Sequence, residues 1–299
     1  MKQQHTTPPQ LRPAPRPSTR RGRTSALLLA MSLVTGAPSV AADDELAAAI
    51  ASPARTPAFA ARDPWRHPAE TLEFFELAPD QHVVEIWPGG GGWYTEILAP
   101  YLRQHGRLYT AQFNADSPAK FFRQSRARFE AALAAAPERY DRVVVTTFDP
   151  PDHADIAPAG SADRVLTFRN VHNWYMRGGG DARVIAAFEG MYRALKPGGL
   201  LGVVDHRLPE ARPLSDQEAS GYLRQDYVID MAGRAGFEWV ASSEINANPL
   251  DTADHPEGVW TLPPTLRLGA TDRARYQAIG ESDRMTLKFR KPTAASDPS

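Results

Sequence analysis

From residue 82 onward, short apolar runs alternate with amphipathic segments of helical period. The run at 82–87 precedes four glycines, and the spacing after them predicts a helix over about 95–104. A second strand is expected at 108–113, followed by a helix over 122–135 with Phe122, Phe129 and Leu133 on one face. Strands at 143–148 and 164–168 come next. A helix over 181–195 begins at Asp181 and repeats apolar residues at Val184, Phe188, Met191 and Leu195. Lys196-Pro197-Gly198-Gly199 closes it ahead of a strand at 200–204. Ser215-Asp216-Gln217-Glu218 has the pattern of a capping box opening another helical stretch, and Gly236 stops a helix over 228–235. Strands at 239–245 and 284–289 finish the series. Such alternation implies an α/β domain whose mostly parallel sheet is covered on both faces. Ligands of these sheets bind beyond the carboxyl ends of the strands, near the switch point after the first one.

The first 42 residues follow a different rule. Lys2, Arg12, Arg16, Arg20, Arg21 and Arg23 stand there without an acid, an apolar run covers 26–34, and small residues end in Ser39-Val40-Ala41-Ala42. Basic, then apolar, then small is the order of a secretory signal peptide, with cleavage near Ala42. The run is shorter than the roughly 20 apolar residues that span a bilayer. Thr19-Arg20-Arg21 hints at twin-arginine export, although the apolar residues that usually follow the pair are missing. The expected organisation is a signal peptide over 1–42, a linker with a short helix over 43–62, one domain over 63–292 and a disordered tail over 293–299. Losing residues 1–42 changes the formal net charge from -1 to −7, because 28 Lys+Arg then face 35 Asp+Glu. An acidic mature chain is not expected to bind nucleic acid, which needs basic surface. No second apolar segment approaches membrane-spanning length, so a soluble periplasmic protein without stable membrane insertion is expected. The absence of cysteine excludes disulfides, Cys-ligated zinc, iron–sulfur clusters and a thiol nucleophile.

The strongest chemical signal lies at the first strand's end. Glu85-Ile86-Trp87-Pro88-Gly89-Gly90-Gly91-Gly92 sets a carboxylate before a glycine loop that opens a helix. Glycine lets the backbone turn sharply and approach a ligand, and the helix N-terminus that follows favours an anionic group. A glycine loop also serves plain turns and NAD sites. Glu85 points elsewhere, since a carboxylate there suits an ammonium group, and S-adenosyl-L-methionine carries an α-ammonium, an α-carboxylate and a sulfonium.

The motif resembles that of class I S-adenosylmethionine-dependent methyltransferases. More narrowly, residues 85–91, Trp93-Tyr94-Thr95-Glu96-Ile97-Leu98-Ala99-Pro100 and Arg169-Asn170-Val171-His172-Asn173-Trp174 resemble a bacterial family of exported, predicted methyltransferases. Lys196-Pro197-Gly198-Gly199, Val203-Val204-Asp205-His206 and residues 283–292 also fit, so the resemblance covers roughly 63–292. It implies a Rossmann-like fold with a seven-stranded sheet whose last strand is antiparallel, S-adenosyl-L-methionine as cofactor and a small-molecule methyl acceptor. It implies that Glu85, Trp87, Gly89, Gly90, Gly91 and Asn170 bind the cofactor, with Glu85 on its ammonium and Gly89 and Gly91 at its methionine end. Gln112 stands where such enzymes usually hold the ribose with an acid, and Asp149 resembles the acceptor of the adenine amino group. Trp87 replaces a glycine common in the wider class, and Gly92 is an extra residue.

His172, past the fourth strand, and His206, ending the fifth, are the candidate catalytic residues. A neutral imidazole at either place takes a proton from an acceptor hydroxyl or amine, or else bonds a loop backbone. Tyr94 and Trp174 either pack on the sulfonium or are core aromatics, and Asp226-Tyr227 has a weaker claim. Asp149-Pro150-Pro151-Asp152 follows the third strand rather than the fourth, which speaks against methylation of base amines. Asp152-His153-Ala154-Asp155 lacks neighbouring ligands, so no metal is expected. Two rivals remain: a non-catalytic protein that binds S-adenosylmethionine or S-adenosylhomocysteine on the same fold, and an NAD-linked oxidoreductase, which Glu85 disfavours.

Overall fold

The computed structural model describes residues 40–293; the signal-peptide reading of 1–39 and the tail from 294 lie outside the described residues. Four short helices lead in: α1 (Val40–Ile50), α2 (Pro57–Ala60), α3 (Asp63–Arg66) and α4 (Pro68–Phe74). The cleavage point expected at Ala41 or Ala42 falls in the first turn of α1. Then follow β1 (His82–Ile86), α5 (Thr95–Leu102), β2 (Arg107–Gln112), α6 (Lys120–Ala135), α7 (Pro137–Tyr140), β3 (Val144–Thr147) and β4 (Ala162–Phe168). The second half comprises α8 (Val171–Tyr175), α9 (Gly180–Ala194), β5 (Leu195–Leu208), α10 (Gln217–Ser220), β6 (Leu223–Arg224), α11 (Gln225–Arg234), β7 (Glu238–Ser243), α12 (Arg273–Ile279) and β8 (Arg284–Arg290).

The strands form one sheet in the order β3-β2-β1-β4-β5-β8-β7. Neighbours from β3 to β5 pair parallel, and β8 runs antiparallel between β5 and β7. β1 lies inside the sheet between β2 and β4, with Glu85 opposite Thr110 on one side and Leu166 on the other. An eighth strand departs from the expected seven. Its two residues pair with Arg207 and Leu208, because β5 runs on past the sheet proper. The capping-box segment also falls short of a full helix, giving a 3-10 turn and then only α10 before Gly221 turns left-handed at φ 74.

Side chains alternate across a strand, so the sheet separates two cores. Val84, Ile86, Val165, Leu201 and Val203 pack on one face with Phe188 and Met191 of α9, Val228 and Met231 of α11, and Trp174 of α8. Val83, Leu166 and Phe168 face the other way, onto Ile97 and Leu98 of α5, Leu72 of α4 and Leu46 of α1. Glu85 shares the second face with Val83, and this decides its surroundings. Among the described residues, no helix is long and apolar enough to cross a membrane.

Candidate active site

β1 ends at Ile86, and the chain turns at Trp87, whose φ of 44 lies in the left-handed region. A bulky residue keeps that conformation only when its surroundings hold it. The indole is 6% exposed and donates from Nε1 to the Phe148 carbonyl at 2.7 Å. Its ring lies 4.8 Å from Phe113, 5.4 Å from Trp174 and 5.8 Å from Phe122. Gly89 follows with φ 73 and open space where a side chain would stand.

The four loop glycines answer to different neighbours. A Cβ on Gly90 would approach the Arg128 guanidinium at 3.0 Å, whereas one on Gly91 would lie 2.6 Å from the Phe59 ring. The segment expected as a linker therefore packs on the loop: Phe59 accepts from Trp93 Nε1 at 2.9 Å, Thr56 bonds Glu96, and Arg55 pairs with Asp63 at 2.6 Å. Gly91→Val is thus expected to push Phe59 away and free residues 51–62. Faster limited proteolysis within that stretch, at an unchanged global melting midpoint, is the expected result; equal cleavage of both proteins would refute it.

Glu85 is buried, and its Oε2 accepts from Thr95 Oγ1 at 2.6 Å. Burial pushes its carboxyl up to about 8, against the opposing pull of the Thr95 bond. A folded value above the ordinary 4.5 means that the folded chain binds the proton more tightly. The associated stability is complete at low pH and is lost as pH rises through about 8. Between about pH 5 and pH 8, wild type is expected to lose on the order of a few kcal/mol that Glu85→Gln retains. Urea midpoints across that range check it, and parallel curves would refute the buried neutral acid.

Gln112 closes β2 and is buried. Its Nε2 donates to the Gly89 carbonyl at 2.7 Å and its Oε1 accepts from Phe113 N at 3.0 Å, so the amide fastens the loop. Asn170 ties two strand ends together, donating to the Ile86 carbonyl at 2.8 Å and to Thr167 Oγ1 at 3.2 Å. Asp149 accepts from Arg183 at 3.2 Å and forms a backbone bridge with His153. Tyr94 stacks on Phe168 and Trp174 sits among the aromatics around Trp87, both within the cores; Asp226 pairs with Arg224.

A cavity of about 290 Å³ opens over these strand ends. Trp87, Gly89, Phe113, Phe122, Asn170, His172, His206, Trp260 and Arg169 are among the residues that line it. Glu85, Gln112 and Asp149 are not among its lining residues. His172 Nδ1 lies 2.8 Å from Asp205 Oδ1, and the His172 backbone N–H donates to the other carboxylate oxygen at 3.2 Å. His206 stands with its ring centre 5.0 Å from that of His172, its Nδ1 2.5 Å from Ser282 Oγ. Burial, then the charge of His172 and the guanidinium of Arg169, holds His206 well below the usual histidine range. Asp205, Ser282 and Trp260 carry no signal of their own along the chain. The Asp205-His206 pair in the resemblance motif pointed there, but His206 does not end the fifth strand as expected, since β5 runs on to Leu208.

Ligand atoms of His172, Asp205 and His206 lie within 4.8 Å of one another, close enough for a metal. Asp205 Oδ1 already bonds both the His172 ring and the His206 backbone N–H, the latter at 2.8 Å. Nearby guanidiniums also oppose a cation. The cluster suits a hydrogen-bonded relay.

Among solved structures, the chain is similar to a SAM dependent methyltransferase from Aquifex aeolicus, with 12% identity, 77% of this chain and 93% of that one covered, and a TM-score of 0.51. The fold is that of the class I methyltransferases. The same likeness extends to the cyclase SpnF, at 18% identity, 77% and 84% coverage and a TM-score of 0.52. A similar scaffold thus belongs to a protein named for a different reaction. No family model matches the chain, and no curated protein matches it.

Proposed function

We propose that the protein transfers a methyl group from S-adenosylmethionine to a small molecule in the periplasm. The observation that carries the reading is His172, held 2.8 Å from the buried Asp205 and lining a cavity that Gly89 of the glycine loop also lines. The aromatic wall of Trp87, Phe113 and Phe122 suits a purine, and the open side of Gly89 leaves room beside it. Gly89 and Asn170 would hold the methionine end. When bound, the cofactor supplies an electrophilic methyl group on a sulfonium. Asp205 fixes the His172 tautomer with the proton on Nδ1, which leaves the Nε2 lone pair to take the acceptor's proton. The carboxylate then stabilises the imidazolium. His206 is the poorer base, because its buried surroundings and the arginines beside it disfavour its protonated form. The order of basic, apolar and small residues over 1–42 supports export.

A second reading, a binder without turnover, is favoured by two observations. The Gln112 amide, without the charge of an acid, is already bonded to the loop, and the export signal over 1–42 takes the chain away from where the cofactor is made. Calorimetry with S-adenosylmethionine, S-adenosylhomocysteine and NAD, followed by transfer of labelled methyl to a panel of phenols, amines, thiols and carboxylates, decides between them. Binding with transfer supports the enzyme, and binding without transfer to any acceptor supports the second reading. No binding at millimolar cofactor overturns both.

A further inference from the structure

Arg169 follows β4 with φ 62, lines the cavity, and makes no side-chain hydrogen bond among the described residues. Behind it, three more arginines converge on one carboxylate. Arg62 Nε donates to Glu281 Oε1 at 2.6 Å, while Arg66 Nε and Arg284 Nη1 donate to Oε2 at 3.3 Å and 3.2 Å. Arg66 and Arg284 are 2% and 3% exposed, and Arg66 Nη2 and Arg284 Nε lack partners. Four guanidiniums against one carboxylate leave an excess of three positive charges. The neighbouring acid does not cancel it, since Asp283 is held by two bonds from Arg207. Tyr94 stays neutral, its phenol pushed up to about 12 by burial. Against the raising effect of burial, the charges of Arg66, Arg284 and Arg169 hold Glu281 down to about 2, so the one carboxylate is ionised and still outnumbered.

Buried charge is ordinarily paired, because desolvation outweighs what an unpaired ion recovers. A fixed cationic excess beside a cavity is complementary to an anion, and the planar guanidinium fork matches an oxyanion in two hydrogen bonds. We propose that this end of the cavity is an oxyanion subsite, in which Arg169 clamps a carboxylate or phosphate-type group within the field of Arg62, Arg66 and Arg284. On the methyl-transfer reading, that group belongs either to an acidic methyl acceptor or to the cofactor's own α-carboxylate. Both share one chemistry, and the variant below separates them.

Calorimetry compares wild type with Arg169→Met against four probes: S-adenosylmethionine, its decarboxylated analogue, benzoate and inorganic phosphate. Arg169→Asn, whose short side chain tolerates left-handed backbone, repeats the series should the methionine variant fail to fold by circular dichroism. A loss of about ten- to a hundredfold is expected for whichever probe carries the bound oxyanion. If S-adenosylmethionine weakens and the decarboxylated analogue does not, the oxyanion is the cofactor's. If both cofactors bind unchanged while benzoate or phosphate is lost, the oxyanion is the acceptor's. Wild type that binds an anion through Arg169 but not S-adenosylmethionine keeps the subsite and sinks the methyl-transfer reading. Folded variants that bind all four probes as wild type does overturn the subsite, as does wild type that binds neither small anion nor prefers the carboxylated cofactor.

Discussion

Turnover of the His172→Ala variant is expected to fall by about 10²- to 10⁴-fold, the usual contribution of a positioned general base, while S-adenosylmethionine affinity changes little. The split follows from geometry. His172 is held by Asp205, while the aromatic rings of Trp87, Phe113 and Phe122, proposed to meet the purine, cluster among themselves. Asp205→Asn tests the positioning residue: it keeps the shape but removes the charge that fixes the imidazole tautomer across 2.8 Å. A comparable loss of kcat with little change in KM is expected. His206→Ala should cost less, since that ring is poorly suited to hold a proton. Labelled-methyl turnover and calorimetry measure the two quantities separately. Full rate in His172→Ala would show that catalysis rests on positioning of the reactants alone.

The second large effect is on stability, at Trp87. Trp87→Ala removes an indole packed against Phe113, Phe122, Phe148 and Trp174, together with its bond to the Phe148 carbonyl. A loss of about 3–5 kcal/mol is expected, the range for large aromatic deletions in cores. Trp87→Gly empties almost the same volume but relieves the left-handed backbone at φ 44, where a Cβ costs roughly 1–2 kcal/mol. Glycine should therefore equal or exceed alanine here, the reverse of its ordinary rank. Urea unfolding of the two variants gives the comparison. An alanine variant more stable than the glycine one by about 0.5–1 kcal/mol would remove backbone strain from the account.

Period and punctuation were legible along the chain, because they are local. The apolar run at 82–87 and the glycines after it placed β1 and its loop within a residue, and Val184, Phe188 and Met191 marked the buried side of α9. The antiparallel last strand came from resemblance and not from period, since nothing in 284–289 states its direction. The two-residue β6 left no trace, as two residues have no period. The sequence by itself thus determined the α/β order and the loop at the switch point, and it singled out two histidines, of which His172 lies in α8 just past β4 and His206 inside β5, two residues short of its end. Tertiary structure alone decided what each polar group touches. His172 meets Asp205 33 residues away, His206 meets Ser282 76 away, and Arg62 meets Glu281 219 away. It also turned Glu85 onto Thr95 and Gln112 onto Gly89, because the pleat chose their faces and the nearest donor or acceptor there claimed them. Charge pairing at such separations depends on which strand ends and loops the fold brings together, and no pattern along the chain encodes it.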